Sequence, residues 1–223
     1  MGRFSLGIII PARNEEKTIK KVIDSIKKYG DIVVVDDSSS DKTLSILKKS
    51  RTKYLRNYSH KGYEETVLKG IKHLLKKNYK YIATFDADGE HDHKFFLNLK
   101  KNSSFDLIIG QRKSFNRFSE YLFSFITNNL FNIKDPCSGL KIYNTKILKK
   151  INIKNENILN TSIIFKIKFL GGKIIHKILK VKKRKDGSRL GNKLIVNINI
   201  IYCIFKLLVK SLFLKTMYKK IHK

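Results

Sequence analysis

The chain has 223 residues, 42% of them hydrophobic and 30% charged, which is enough apolar material for one globular domain with a substantial core and too much for a disordered chain. Cys137 and Cys203 stand apart and lack any metal-ligand spacing, which excludes a disulfide-stapled secreted module. Net charge is +30, with 26 basic and 16 acidic residues over 1–140 (+10) and 22 basic and 2 acidic over 141–223 (+20); such a basic half attracts nucleic acid, an anionic membrane face or phosphorylated substrates.

Apolar runs and amphipathic stretches alternate from the start. Ser5–Ile10 and Asp31–Val35 are short β-branched runs stopped by polar turn residues, and they predict buried strands. Between them, Glu15–Tyr29 spaces Ile19, Val22, Ile23 and Ile26 as a helix does, and Gly30 closes it. The pattern continues with a helix over Lys42–Lys49, a strand over Thr52–Arg56, a helix over Tyr63–Lys77 and a strand over Tyr81–Phe85. This order predicts an α/β domain built on an open, mainly parallel sheet with helices on both faces. Further on, the sequence predicts a strand over Phe105–Gly110, a helix over Phe118–Phe131, and a turn at 135–141 leading into a short strand and helix. A helix over Leu159–Leu170, a strand over 173–182 and a polar basic loop over 183–191 follow.

The last segment, 192–223, reads as a basic appendage to a domain spanning 1–191. Leu194–Leu214 is just long enough to cross a bilayer, yet Lys206 and Lys210 lie inside it, and with Asn192 and Asn199 they share one helical side. That stripe predicts an amphipathic helix lying in the membrane interface. At the other end, the run Phe4–Ile10 passes into Pro-Ala-Arg-Asn-Glu-Glu without a cleavage site, which predicts a cytoplasmic chain.

In a sheet of this kind, ligands bind outside the carboxyl ends of the strands. The residues there are Pro11-Ala12-Arg13-Asn14-Glu15-Glu16, Asp36-Asp37-Ser38-Ser39-Ser40-Asp41 and Asp86-Ala87-Asp88-Gly89-Glu90-His91-Asp92. Three acidic clusters at one sheet edge repel each other unless a cation or a donor-rich ligand joins them. Asp86 and Asp88, at i and i+2 of an extended segment, point to one side and can share a divalent cation bridging diphosphate oxygens; an all-oxygen set suits magnesium or manganese. One carboxylate of Asp36-Asp37 could accept from a nucleobase N–H while the other orders the loop, and Asp41 is placed to cap the next helix. Arginine is informative in a chain that defaults to lysine: of eight, Arg13 falls in the first of these segments and Arg112, Arg117, Arg184 and Arg189 in the motif segments further along the chain, where a planar fork suits phosphate oxygens.

The runs Ile8–Glu16, Val33–Thr43 and Phe85–His91 resemble, in order and spacing, the three signatures of family 2 glycosyltransferases. Gly110-Gln111-Arg112, Asp135-Pro136-Cys137-Ser138-Gly139-Leu140-Lys141 and Arg184–Arg189 resemble the dolichol-phosphate mannosyltransferase-like branch of that family, so the resemblance covers about residues 5–191. It implies a GT-A fold and inverting transfer of a hexose from a nucleoside-diphosphate sugar, UDP- or GDP-linked, to a polyprenyl phosphate or related lipid-linked acceptor. A magnesium or manganese ion would sit on Asp88 with Asp86 and Glu90 nearby. Pro11, Ala12, Arg13, Asn14, Glu15, Asp36, Asp37, Asp86 and Ala87 would line the nucleotide-sugar site. Arg112, Arg117 and Arg184 would hold phosphates, with Ser138, Ser188 and Arg189 on the acceptor side. The expected place of work is the inner face of the cell membrane, on an anionic surface.

Departures from the branch fall on the acceptor side: Ser162 stands where an acid is usual, His176–Leu179 replaces a Glu-Val-Pro-Ile-like strand, and Glu90 replaces a common Gln. Two other functions compete. A saccharide hydroxyl as acceptor would need a general base, for which Asp135 or Asp92 is the candidate. A nucleic-acid-binding protein would account for +30 but leaves the acidic strand ends without a purpose, so no nucleic acid is expected as partner.

Overall fold

The computed structural model describes residues 5–101, 104–115, 117–151 and 160–182. The basic loop with Arg184, Ser188 and Arg189, and the segment 192–223, lie outside the described residues. What is described divides into two compact units, 5–113 with 138–182, and 114–137.

The larger unit opens with β1 (Leu6–Ala12), α1 (Ile19–Ile26), β2 (Asp31–Asp37), α2 (Thr43–Lys49), β3 (Tyr54–Asn57), α3 (Tyr63–Leu74) and β4 (Tyr81–Thr84). A 3₁₀ helix over His93–Lys101 and β5 (Leu107–Arg112) follow; α4 (Phe118–Phe131) belongs to the smaller unit; β6 (Lys141–Asn144), α5 (Thr145–Lys150), α6 (Asn160–Phe169) and β7 (Ile174–Leu179) complete the larger one. Seven strands form one sheet in the order β3-β2-β1-β4-β6-β5-β7. Pairing is parallel except where β6 runs against both β4 and β5. The mixed, mainly parallel sheet expected from the sequence is therefore present, with its reversal beside the central strand β4.

Burial on both faces explains why β1 is apolar throughout. Leu6, Ile8 and Ile10 pack with Ile19, Val22, Ile23 and Ile26 of α1 on one face. On the other face Ile9 lies so close to α3 that a Cβ on Gly70 would come within 2.5 Å of its Cγ2. Each fully buried isoleucine contributes about 1.5–3 kcal/mol of hydrophobic free energy.

The smaller unit presents α4 with a mixed pattern. It buries Phe123 and Phe131 together with Ser119, Glu120, Ser124 and Thr127, while Phe118 (74% exposed), Tyr121 (53%) and Phe125 (57%) stand in solvent at i, i+3 and i+7. The buried hydroxyls are satisfied locally, Ser124 donating to the Lys134 carbonyl and Thr127 Oγ1 to the Ile133 carbonyl. Asn132 ends the helix in the left-handed conformation, at φ +56°.

Candidate active site

The loops after β1 and β2 are tied to each other by side chains that the sequence places there. Ser39 Oγ accepts from the Asn14 N–H (3.0 Å), Asn14 Oδ1 accepts from the Ser40 N–H (2.8 Å), and Thr43 Oγ1 accepts from the Glu15 N–H (2.8 Å). Asp41 bridges the two loops, accepting from the Glu16 N–H and from Thr43 N–H, while Glu16 accepts in return from the Lys42 N–H. Asp41 thus serves the start of α2 as expected, although Lys42 occupies the cap position. Both loops enter through a left-handed residue, Asn14 at φ +54° and Ser38 at φ +53°; such backbone is uncommon outside glycine and persists where surrounding bonds hold it. Pro11, Ala12 and Glu15 are buried beneath this weave and Arg13 is exposed above it. Glu15 Oε2 accepts from Thr18 Oγ1 at 2.8 Å.

Of the Asp36-Asp37 pair, Asp37 is the one that orders a loop. Asp37 Oδ1 accepts from Asn57 Nδ2 and the Lys61 N–H, and its Oδ2 from His60 Nδ1 (2.7 Å) and the Gly62 N–H. Burial pushes this carboxyl up, but the donors together outweigh it and hold the group below the usual carboxylate range. Asp37 therefore clamps the turn between β3 and α3. Asp36 is fully buried with neither carboxylate oxygen hydrogen-bonded, its compensation being the Arg56 guanidinium, Nε to Oδ2 at 3.4 Å. Removing one partner of such a pair strands a buried charge. We expect Arg56→Met to lower unfolding free energy by about 2–3 kcal/mol in urea titration, less than a fully buried pair would lose because Arg56 is 41% exposed.

After β4 the acids are left without that degree of internal satisfaction. Asp86 and Asp88 are half-buried and lie within electrostatic reach of each other and, for Asp88, of Glu15. Burial, then the charge on Asp86, raise the Asp88 carboxyl above its usual range, against the pull of the Glu90 N–H it accepts and of His91. His91 Nε2 approaches Asp86 Oδ2 at 3.5 Å while its buried Nδ1 has no hydrogen-bond partner. Tyr63, first residue of α3, donates its hydroxyl to Asp86 Oδ1 at 3.0 Å. Gly139 lies against the same carboxylate: a Cβ there would fall 1.8 Å from Asp86 Oδ2. Its carbonyl accepts from Thr84 Oγ1 at 2.7 Å, which ties the turn before β6 to the end of β4. The segment after Asp88 pairs with the chain beyond β7, the Asp92 N–H donating to the Lys180 carbonyl and the Lys182 N–H to the Glu90 carbonyl. The described chain therefore ends at Lys182 beside the acidic segment.

The remaining expected residues are distributed as follows. Arg112 ends β5 and is half-buried. Arg117, in the smaller unit, pairs through Nη1 with Glu120 Oε1 at 2.9 Å in the first turn of α4. Asp135 is fully buried. Ser138 is fully buried with its hydroxyl turned to the backbone of Leu140, 3.3 Å from its N–H. Among the described residues, no three His, Cys, Asp or Glu side chains form a group able to hold a metal ion, the expected set of Asp86, Asp88 and Glu90 included. Also among the described residues, no helix is long and apolar enough to cross a membrane. Tyr63, Arg56, Asn57 and His60 had not stood out in the sequence, because each is a single polar or aromatic residue in a short turn or at an element end, where no periodicity marks it.

A reversed strand beside β4 with acidic residues at the carboxyl ends of the parallel strands is the arrangement of a nucleotide-sugar-dependent GT-A enzyme. Residues 7–151 match Glycosyl transferase family 2, and the chain belongs to that family and is a glycosyltransferase. Its relatives include the UDP-N-acetylglucosamine–dolichyl-phosphate N-acetylglucosaminyltransferase of Methanococcus voltae, 28% identical over 179 residues (65% of this chain, 71% of that protein). Another is the polyprenol monophosphomannose synthase of Mycolicibacterium smegmatis, 25% identical over 175 residues (66% and 64%). The fold is shared with glucosyl-3-phosphoglycerate synthase from Mycobacterium tuberculosis, solved with Mn²⁺ and UDP-glucose, at a TM-score of 0.68 and 18% identity over 91% of this chain and 79% of that one.

Proposed function

We propose that this glycosyltransferase moves a hexosyl group from a nucleoside-diphosphate sugar to a polyprenyl phosphate at the inner face of the cell membrane. The observation that carries the donor side is the Asp86–Asp88 pair, since Asp37, Asp41 and Glu16 are committed to the scaffold while this pair is held together at a cost that a cation would relieve. Asp86 and Asp88 would hold Mn²⁺ or Mg²⁺, with Glu90 adjoining and the diphosphate completing the oxygen shell; the ion supplies charge neutralisation of the leaving diphosphate. Pro11, Ala12, Arg13, Asn14, Glu15 and Ala87 form the wall along which the nucleotide lies, with Asp36 and Asp37 beneath it as supports.

The acceptor class rests on the two polyprenyl-phosphate relatives and on α4. A polyprenyl phosphate is already an anionic nucleophile, so attack on the anomeric carbon requires no dedicated general base. The protein has to bring two phosphate groups together and align them, work suited to Arg112, Arg117, Arg184, Arg189 and the Ser188 hydroxyl, whereas the buried Ser138 hydroxyl, turned to the Leu140 backbone, supports the turn before β6. The exposed Phe118, Tyr121 and Phe125 suit a bilayer interface, and the basic segment 192–223 suits anionic headgroups.

The test is a transfer assay offering UDP- and GDP-hexoses, with and without Mn²⁺, to a short-chain polyprenyl phosphate, the matching alcohol and a disaccharide. Metal-dependent product on the phosphate alone is the expected result. Product on the disaccharide alone would replace the lipid acceptor by a saccharide hydroxyl.

A further inference from the structure

We infer that Tyr63 is a positioning residue for the donor site, fixing the Asp86 carboxylate through a hydroxyl that the Asp37-clamped turn delivers; the inference rests on the donor-site reading above. Three contacts define the orientation of that carboxylate. Tyr63 donates to Oδ1 at 3.0 Å, His91 Nε2 stands 3.5 Å from Oδ2, and Gly139 closes the side that any Cβ would occupy. Among the described residues, the tyrosine's contact with Asp86 is a charge-assisted hydrogen bond of good length. The hydroxyl also sits 3.5 Å from the Gly139 carbonyl, whose other lone pair is taken by Thr84, so it reports on the turn as well as on the acid.

The path that brings Tyr63 there begins on the second acidic strand. Asp37 accepts from the N–H groups of Lys61 and Gly62, directly before the tyrosine, and from His60. Gly62 stands at φ +86°, a conformation that L side chains avoid, and turns the chain into α3. Its carbonyl accepts from Thr66 Oγ1 at 2.7 Å, and Asn57 Nδ2 joins Thr66 to Asp37. The turn is therefore bonded at each step between Asp37 and the first residue of α3. An acid at the end of β2 governs the geometry of an acid at the end of β4 without touching the ligand, and the tyrosine is the link. Tyr63 is about one-third exposed, so its ring is not a core element, and removing one oxygen leaves α3 packed through Val67, Ile71 and Leu74.

The test compares the intact protein with Tyr63→Phe by titrating Mn²⁺ in the presence of UDP and, separately, of GDP and reading free Mn²⁺ by electron paramagnetic resonance, alongside donor kinetics. The expected result is a 5- to 20-fold weaker Mn²⁺ site in Tyr63→Phe, a donor KM raised by a similar factor, kcat changed less than threefold, and a thermal midpoint within 2 °C of the parent. Gly139→Ala, which pushes on the same carboxylate from the opposite side, should weaken the site further. If the parent binds Mn²⁺ with UDP and Tyr63→Phe binds it equally well, the positioning role is overturned while the donor site stands. If the parent itself holds no Mn²⁺ with UDP or GDP, the donor-site reading falls and the inference with it.

Discussion

Asp88→Ala should reduce sugar transfer by about 10³-fold while lowering unfolding free energy by less than about 1 kcal/mol. The two effects separate because the carboxylate is held under electrostatic tension. Burial and the neighbouring Asp86 charge raise its pKa, so its negative form is a net cost to the folded protein, and only the hydrogen bond from the Glu90 N–H is lost with it. Under the proposed donor site, transfer would depend on the same charge, since a leaving diphosphate develops its negative charge where Asp88 would hold the cation. Parallel measurement of initial rates and urea midpoints checks both halves. A variant that kept more than a tenth of parental activity would remove Asp88 from the reaction.

For Asp37→Ala we expect the opposite balance, with a stability loss of about 4 kcal/mol dominating. Four donors lose their acceptor at once, namely Asn57 Nδ2, His60 Nδ1 and the N–H groups of Lys61 and Gly62; each such bond is worth about 1 kcal/mol, and a donor left buried costs more. The carboxyl is held below its ordinary 3.8 in the folded protein. A depressed carboxyl binds protons less readily than in the unfolded chain, so its stabilisation is complete above about pH 4 and is lost as pH falls through the folded value. Acid unfolding of the parent should therefore be steeper below pH 4 than that of Asp37→Asn, measured by circular dichroism on the same buffers. Because this turn carries Tyr63, donor affinity should fall in both variants even where enough protein remains folded.

Much of the fold was legible because its strands and helices are marked by burial on fixed periods. Helix α4 spans Phe118–Phe131 as its pattern predicted, and β2 begins at Asp31 as expected. The ends slipped where polar residues belong to an element for reasons other than burial. Strand β2 continues through Asp36 and Asp37, and β5 through Gln111 and Arg112, because main-chain pairing with β3 and with β7 continues there. Helix α1 starts at Ile19 and not at Glu15 because residues 14–16 give their N–H groups to the β2–α2 loop. The 3₁₀ helix over His93–Lys101 was not foreseen, nor was β6 as the strand that reverses direction.

The site was legible as chemistry and not as wiring. The three acidic strand ends stood out, but the sequence could not say that Asp37 spends its oxygens on a turn, since Asn57, His60 and Gly62 reach it from a segment with no periodic signal. The expected mutual repulsion among the clusters is in large part answered by backbone N–H groups and by Arg56, leaving it concentrated at Asp86 and Asp88.

Strand β4 also sets how the chain must fold. Its partners are β1 on one side, Leu6 opposite Tyr81, and β6 on the other, Thr84 opposite Lys141. Neither side can be closed by a local hairpin, so both pairings wait on long loops, and such topologies fold in milliseconds to seconds where local ones take microseconds. Until β6 arrives, an apolar Tyr-Ile-Ala-Thr edge lies open to strands of other chains. The same reversal that frames the catalytic edge in the finished enzyme thus makes its newly made chain prone to self-association, and yield of soluble protein should improve when synthesis is slowed by cooling.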